Sequence, residues 1–189
     1  MKQVLAVLGS PRKGGNTETL LKEVGRGVQY AGGAFKMTGL AELAICECDG
    51  CHVCWSGKPC AKKDAMNDLY PEIAAADAVV FGTPVYWYGP TALMKAFVDR
   101  FVYFNGPSNR DQIRGKLAAT VIPFEDTSLE TGALTAQFFQ HSLAYLEMVL
   151  VEQMLVPGVT RRGEVRERAD SLRAAEALGR KLVNGGTAE

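Results

Sequence analysis

The chain has 189 residues, 47% hydrophobic and 22% charged, an ordinary globular composition that excludes a disordered or fibrous protein. Lys plus Arg and Asp plus Glu each total 21, so no global field recruits nucleic acid or an anionic membrane. The apolar run over residues 4–8 is too short for a signal-peptide core or a membrane span, so a cytoplasmic protein is expected, and no composition shift divides residues 1–189, so a single domain is expected.

Residues 4–8 are continuously apolar and stop at Gly9-Ser10-Pro11, the pattern of a strand buried on both faces of a parallel sheet. Leu20, Leu21, Val24 and Val28 then recur at helical spacing, with Asn16 or Thr17 placed to cap the helix and Gly32-Gly33 to end it. Residues 34–40 read as a weaker second strand, and a long cysteine-bearing segment leads to a helix near residues 65–75. Residues 78–81 form a third strand pattern, followed by Gly82-Thr83-Pro84 and a helix carrying Leu93, Phe97 and Phe101. A fourth strand over 117–122, a helix over 134–148, a fifth strand over 150–156 stopped by Pro157-Gly158, and a helix carrying Val165, Ala169, Leu172, Ala175 and Leu182 complete the chain. This alternation predicts an α/β fold with a doubly wound, five-stranded parallel sheet, because right-handed crossovers place helices on both faces.

The loop Gly9-Ser10-Pro11-Arg12-Lys13-Gly14-Gly15-Asn16-Thr17 joins the first strand to the first helix, where doubly wound sheets bind ligands. A helix start offers unpaired N–H groups and a partial positive charge, and small residues such as Gly15 let backbone approach a phosphate. Ser10, Asn16 and Thr17 add side-chain donors, and Arg12 a charge-assisted contact. Gly15-Asn16 stands where a triphosphate-binding P-loop needs Lys and Ser/Thr, and no G-x-G-x-x-G occurs, so a monophosphate suits the loop best. A second loop, Thr83-Pro84-Val85-Tyr86-Trp87-Tyr88-Gly89-Pro90, follows the third strand on the same edge and suits the wall of a planar isoalloxazine.

The first loop, together with Gly82-Thr83-Pro84-Val85-Tyr86-Trp87 and Lys95-Ala96-Phe97-Val98-Asp99-Arg100, resembles the NADPH-dependent FMN reductase group of flavodoxin-like proteins over residues 1 to about 103. The resemblance implies sheet order 2-1-3-4-5, and FMN held at its phosphate by Ser10, Arg12, Gly15, Asn16 and Thr17 and at its ring by Pro84, Val85, Tyr86 and Trp87. Phe124, in the loop after the fourth strand, falls where a third flavin-contacting segment belongs, although that loop lacks the Gly-rich sequence of many relatives. The resemblance also implies a homo-oligomer, dimer or tetramer. FMN itself would carry hydride from NAD(P)H to a small acceptor such as a quinone or flavin, so no catalytic side chain is assigned.

Cys48-x2-Cys51-x2-Cys54-x5-Cys60, with Cys46 as a fifth thiol, is stepped closely enough for one loop to wrap an iron–sulfur cubane, whereas structural zinc usually takes two separated pairs. The spacing resembles the iron-sulfur flavoprotein branch of the same family, in which four such cysteines hold a [4Fe-4S] cluster. Flavin-only relatives carry similar cysteines, so a cluster, zinc and bare or redox-active thiols remain open. His52 reads as an exposed loop residue and His141 as a surface or core-facing one. Beside the reductase stand two alternatives: an iron–sulfur flavoprotein carrier reduced by a ferredoxin-like partner, and a flavin-free relative.

Overall fold

In the computed structural model, which describes residues 1–185, strands β1 (Gln3–Leu8), β2 (Ala34–Gly39), β3 (Ala78–Gly82), β4 (Leu117–Pro123) and β5 (Val149–Val156) pair in parallel in the order β2-β1-β3-β4-β5. This is the expected flavodoxin-like order; residues 186–189 of the expected domain lie outside the described residues. Helices α1 (Asn16–Tyr30), α2 (Met66–Ala75), α3 (Ala92–Asp99), α4 (Val102–Asn105), α5 (Glu130–Tyr145) and α6 (Ala169–Val183) cover the sheet. Among the described residues no helix is long and apolar enough to cross a membrane.

Strand residues alternate between two cores, as the two-residue period requires. Val4, Ala6, Leu8, Val80 and Val121 pack under α1 and α6, whereas Leu5, Val7, Val79, Phe81 and Ile122 face α2 through α5. The α1–α6 crossing is backbone-tight: a Cβ on Gly27 would lie 1.8 Å from the Glu176 carbonyl oxygen, and one on Gly179 2.0 Å from that of Val24. Helix α1 ends as its glycines suggest, Gly33 N–H donating to Val28 O and Gly32 N–H to Gln29 O with Gly32 at φ +79°.

Local departures from the periodicity have local causes. Leu40 leaves β2 to open a single 3₁₀ turn, Leu40–Glu42. The helix after β3 breaks at Arg100, where i→i−3 bonds tighten the chain so that Phe97, Phe101 and Phe104 stay on one buried face across the break. Helix α5 begins at Glu130, earlier than the expected 134, and ends before Met148, where Glu147, at φ 59°, reverses the chain. Strand β5 starts one residue early opposite an irregularity at Ala118/Ala119. Val165 sits in its own 3₁₀ turn, Glu164–Glu167, ahead of α6.

Candidate functional site

The loops at the carboxyl ends of β1, β3, β4 and β5 enclose an open-mouthed cavity of about 110 Å³. Ser10, Arg12, Gly15, Asn16, Thr17, Pro84, Val85, Tyr86 and Phe124 all line it, so nine of the ten expected flavin-site residues converge.

The floor is the start of α1. Its N-cap is Gly15, not Asn16 or Thr17 as expected, and no side chain caps the helix. The first helical amides, those of Asn16, Thr17 and Glu18, have no carbonyl partner within the helix and stand available to an anion. Gly15 is required sterically: a Cβ there would lie 2.8 Å from Arg12 O, the acceptor of Gly15's own N–H. Gly14, at φ +66°, aims its N–H away at the Glu18 carboxylate, 2.5 Å from Oε2. Glu18 is held below the usual carboxylate range, first by Lys22 and then by this amide. Ser10 Oγ accepts Arg12 N–H at 3.3 Å and keeps its own proton to donate, and the buried Thr17 hydroxyl faces the same space.

Asn16 does something the sequence did not suggest. Its Nδ2 donates to the carbonyls of Val159 (3.3 Å) and Arg161 (3.1 Å), and its Oδ1 accepts Val165 N–H at 3.1 Å. The side-chain donor expected for a phosphate is therefore committed to bolting the first loop to the β5–α6 segment, and only its backbone amide is left for a ligand.

That segment supplies Val159, Thr160 and Arg162 to the cavity, none of which the sequence reading singled out. The Arg162 guanidinium lies over Gly14, and Arg166 Nη2 donates to Gly14 O at 3.1 Å. Among the described residues Arg12 and Arg162 stand without a carboxylate partner, whereas Arg161 is paired with Glu164 and Glu167. Two unpaired guanidinium groups above free amides fit a doubly charged anion. The available signal was positional: the loop after a fifth parallel strand must return to the same edge as the first.

Pro84, Val85, Tyr86 and Phe124 form the apolar wall. Thr91 ties this wall to the floor, its hydroxyl donating to Gly9 O at 2.6 Å while its Oγ1 caps α3 through Met94 N–H. Trp87 is the exception among the expected ring contacts: it is 97% exposed and outside the cavity. Tyr86 and Gly89 exchange backbone hydrogen bonds of 2.8 and 3.1 Å around a two-residue turn that puts Trp87 at φ 50° and Tyr88 at φ 62°. Such turns favour Asn-Gly, and two aromatics there cost about 1–2 kcal/mol each. Thr135 Oγ1 holds the turn on α5 by donating to Tyr88 O at 3.2 Å.

The cysteine segment leaves the same end of the sheet after β2 and docks beside α2 and α4. Cys54 is buried in the 3₁₀ turn Val53–Ser56, Cys48 and Cys60 are half-buried, and Cys46 and Cys51 are exposed. Burial pushes the Cys54 thiol up, and Cys60, Cys51 and Cys48 act on it in the same direction. Among the described residues no three His, Cys, Asp or Glu side chains are set to hold a single metal ion. The geometry therefore assigns neither a zinc site nor a cluster site, and the cluster alternative is carried by the spacing of its four-cysteine donor set.

The family model for NADPH-dependent FMN reductases matches residues 2–158. An iron-sulfur flavoprotein of Archaeoglobus fulgidus is 27% identical over 192 residues, covering 96% of this chain and 94% of its own. A second iron-sulfur flavoprotein of that organism is 29% identical over 122 residues, 65% of this chain, and the match spans only 54% of its length. In three dimensions the chain is similar to an NAD(P)H:quinone oxidoreductase from Methanothermobacter marburgensis, with TM-score 0.74, 18% identity and 96% of both chains covered, a likeness that concerns the fold.

Proposed function

The chain belongs to the NADPH-dependent FMN reductase family, and from that premise we propose that it holds one FMN in the cavity at the sheet's carboxyl edge and passes reducing equivalents from NAD(P)H to a small acceptor such as a quinone or free flavin. The observation that carries this reading is the glycine N-cap of α1. It leaves the amides of residues 16–18 without a partner beneath two unpaired guanidinium groups and beside an apolar wall. A phosphate and a planar ring need those two surfaces side by side.

Bound flavin supplies hydride chemistry. The chain's own residues bind and orient it: the amides of Asn16, Thr17 and Glu18, the hydroxyls of Ser10 and Thr17, and Arg12 and Arg162 take the phosphate, while Pro84, Val85, Tyr86 and Phe124 flank the ring. Titration with FMN followed by flavin fluorescence tests the site, and anaerobic bleaching by NADPH or NADH tests the donor. Protein that stays colourless after incubation with FMN would sink the reading in favour of a flavin-free relative. A homo-oligomer belongs to the same proposal and is checked by sedimentation.

The spacing Cys48-x2-Cys51-x2-Cys54-x5-Cys60 favours a second reading, in which these thiolates hold a [4Fe-4S] cluster and the protein is an electron carrier reduced by a ferredoxin-like partner. The relatives named iron-sulfur flavoproteins support it. Anaerobically prepared protein that is brown, contains iron and sulfide and is inert to NADPH supports the carrier; yellow protein that bleaches with NADPH supports the reductase.

A further inference from the structure

Arg100 is the largest side chain buried to within 2% of complete, at 1% exposure, and neither the flavin cavity nor apolar core packing accounts for it. It sits in the break between α3 and α4, and its guanidinium points into the cysteine segment. Nη1 donates to Asp64 Oδ2 at 2.5 Å and to Cys46 O at 2.9 Å; Nη2 donates to Asp64 Oδ1 at 3.2 Å and to Cys60 Sγ at 3.2 Å. Asp64 returns the bond to the start of the segment, Oδ2 accepting Cys46 N–H at 2.9 Å, and holds the start of α2 by accepting Met66 N–H on Oδ1 at 3.1 Å. One forked ion pair thus gathers Cys46 and Cys60, between which Cys48, Cys51 and Cys54 all lie. A buried ion pair is a poor source of net stability, because desolvating both charges offsets their attraction. Fixed placement of the groups it touches is what such a pair can supply.

We propose that Arg100, with Asp64, is the positioning residue of the cysteine segment: it presets the Cys60 sulfur as a cluster ligand and, by donating an N–H to that sulfur, makes a bound cluster easier to reduce. The inference rests on the cluster reading given above. Hydrogen bonds to ligand sulfurs and nearby positive charge stabilise the more negative, reduced form and so raise the potential. Arginine is needed because its planar fork donates four hydrogen bonds here, to both Asp64 oxygens, Cys46 O and Cys60 Sγ, whereas an ammonium has three donors on a single atom.

The test compares the full wild-type chain with Arg100→Lys and with the double variant Arg100→Gln/Asp64→Asn, which removes both charges together and leaves no unpaired ion in the core. FMN binding in a separate cavity reports that each variant is folded. Two measurements are made. In iron-free protein, the alkylation rate of each cysteine is read by mass spectrometry. After anaerobic reconstitution, iron and sulfide per chain are measured, with the midpoint potential from a dithionite titration followed by electron paramagnetic resonance. Cys60 should alkylate at least tenfold faster in Arg100→Lys, with Cys51 unchanged. The double variant should retain less iron, and its remaining cluster should have a potential lower by a tenfold shift in the one-electron equilibrium, about 59 mV. Folded variants with wild-type Cys60 reactivity, iron content and potential would overturn the role of Arg100 while leaving the cluster reading intact. Wild-type protein that takes up no iron would overturn both.

Discussion

Replacing Asn16 by alanine separates two roles that the sequence alone cannot distinguish. The structure assigns the side chain three hydrogen bonds to the β5–α6 segment: two donated, to Val159 O and Arg161 O, and one accepted, from Val165 N–H. Each is worth about 0.5–1.5 kcal/mol net, and because the site is half-open to water the lower part of that range applies, giving about 2 kcal/mol in all. In a chain of this length that corresponds to a fall in Tm of about 4–8 °C. The assay is thermal and urea unfolding of flavin-free protein, with Thr17→Val as the contrasting variant. Asn16→Ala should lower the midpoint without flavin present; Thr17→Val should leave that midpoint close to wild type and weaken FMN binding instead. If flavin-free Asn16→Ala melted with the wild type while its FMN affinity fell, the side chain would be a ligand donor and the bolt would be refuted.

Gly15→Ala should reduce FMN affinity at least tenfold in a fluorescence titration, since the added carbon meets a backbone oxygen 2.8 Å away and the amides of the first turn must shift. Arg162→Ala should weaken FMN binding by about 1.5–3 kcal/mol, roughly ten- to a hundredfold, with little effect on riboflavin, which lacks the phosphate; equal losses for both ligands would move Arg162 off that group. Glu18 has its folded pKa depressed below the ordinary 4.5, so the stability it contributes is present above that value and lost as pH falls through the folded pKa. Urea midpoints between about pH 5 and 3 should therefore fall more steeply for wild type than for Glu18→Gln, and parallel curves would remove Glu18 from the loop's support. Cys54→Ser should abolish iron retention in anaerobically prepared protein, and retained iron with an unaltered spectrum would exclude that ligand.

The strand order and the convergence of the first, third and fourth loops were legible because apolar runs of strand length and the Gly-Ser-Pro and Gly-Thr-Pro stops are local signals. The commitment of the Asn16 side chain was not legible because its partners lie 143 to 149 residues away, and no local pattern distinguishes a free amide side chain from a committed one. Val159, Thr160 and Arg162 escaped for a related reason: an exposed arginine pair after a Pro-Gly turn looks like solvated surface until the fifth strand is placed beside the fourth. The family match also stops at residue 158, one position before this stretch. Trp87 was carried over with Tyr86 from the family resemblance, but consecutive residues in this tight turn diverge, and Trp87 faces away from the cavity. Arg100 was seen within a family-like motif, yet burial of a guanidinium cannot be read from helical spacing. It followed only from the fold that brings α3 alongside Asp64 and Cys60.

The bolt between Asn16 and the β5–α6 segment also sets a timetable. On the ribosome the first strand and helix emerge early, but the groups that complete their cradle are 143 to 149 residues behind. At about 5–20 residues per second that gap lasts roughly 7–30 s. Through that interval the nascent chain has the amides of α1 but neither Arg162 nor the helix that closes against Gly27. On the proposed reading cofactor capture would be a late event of synthesis, because a chain ending at residue 158 would carry all five strands but lack the Val159, Thr160 and Arg162 side of the cavity.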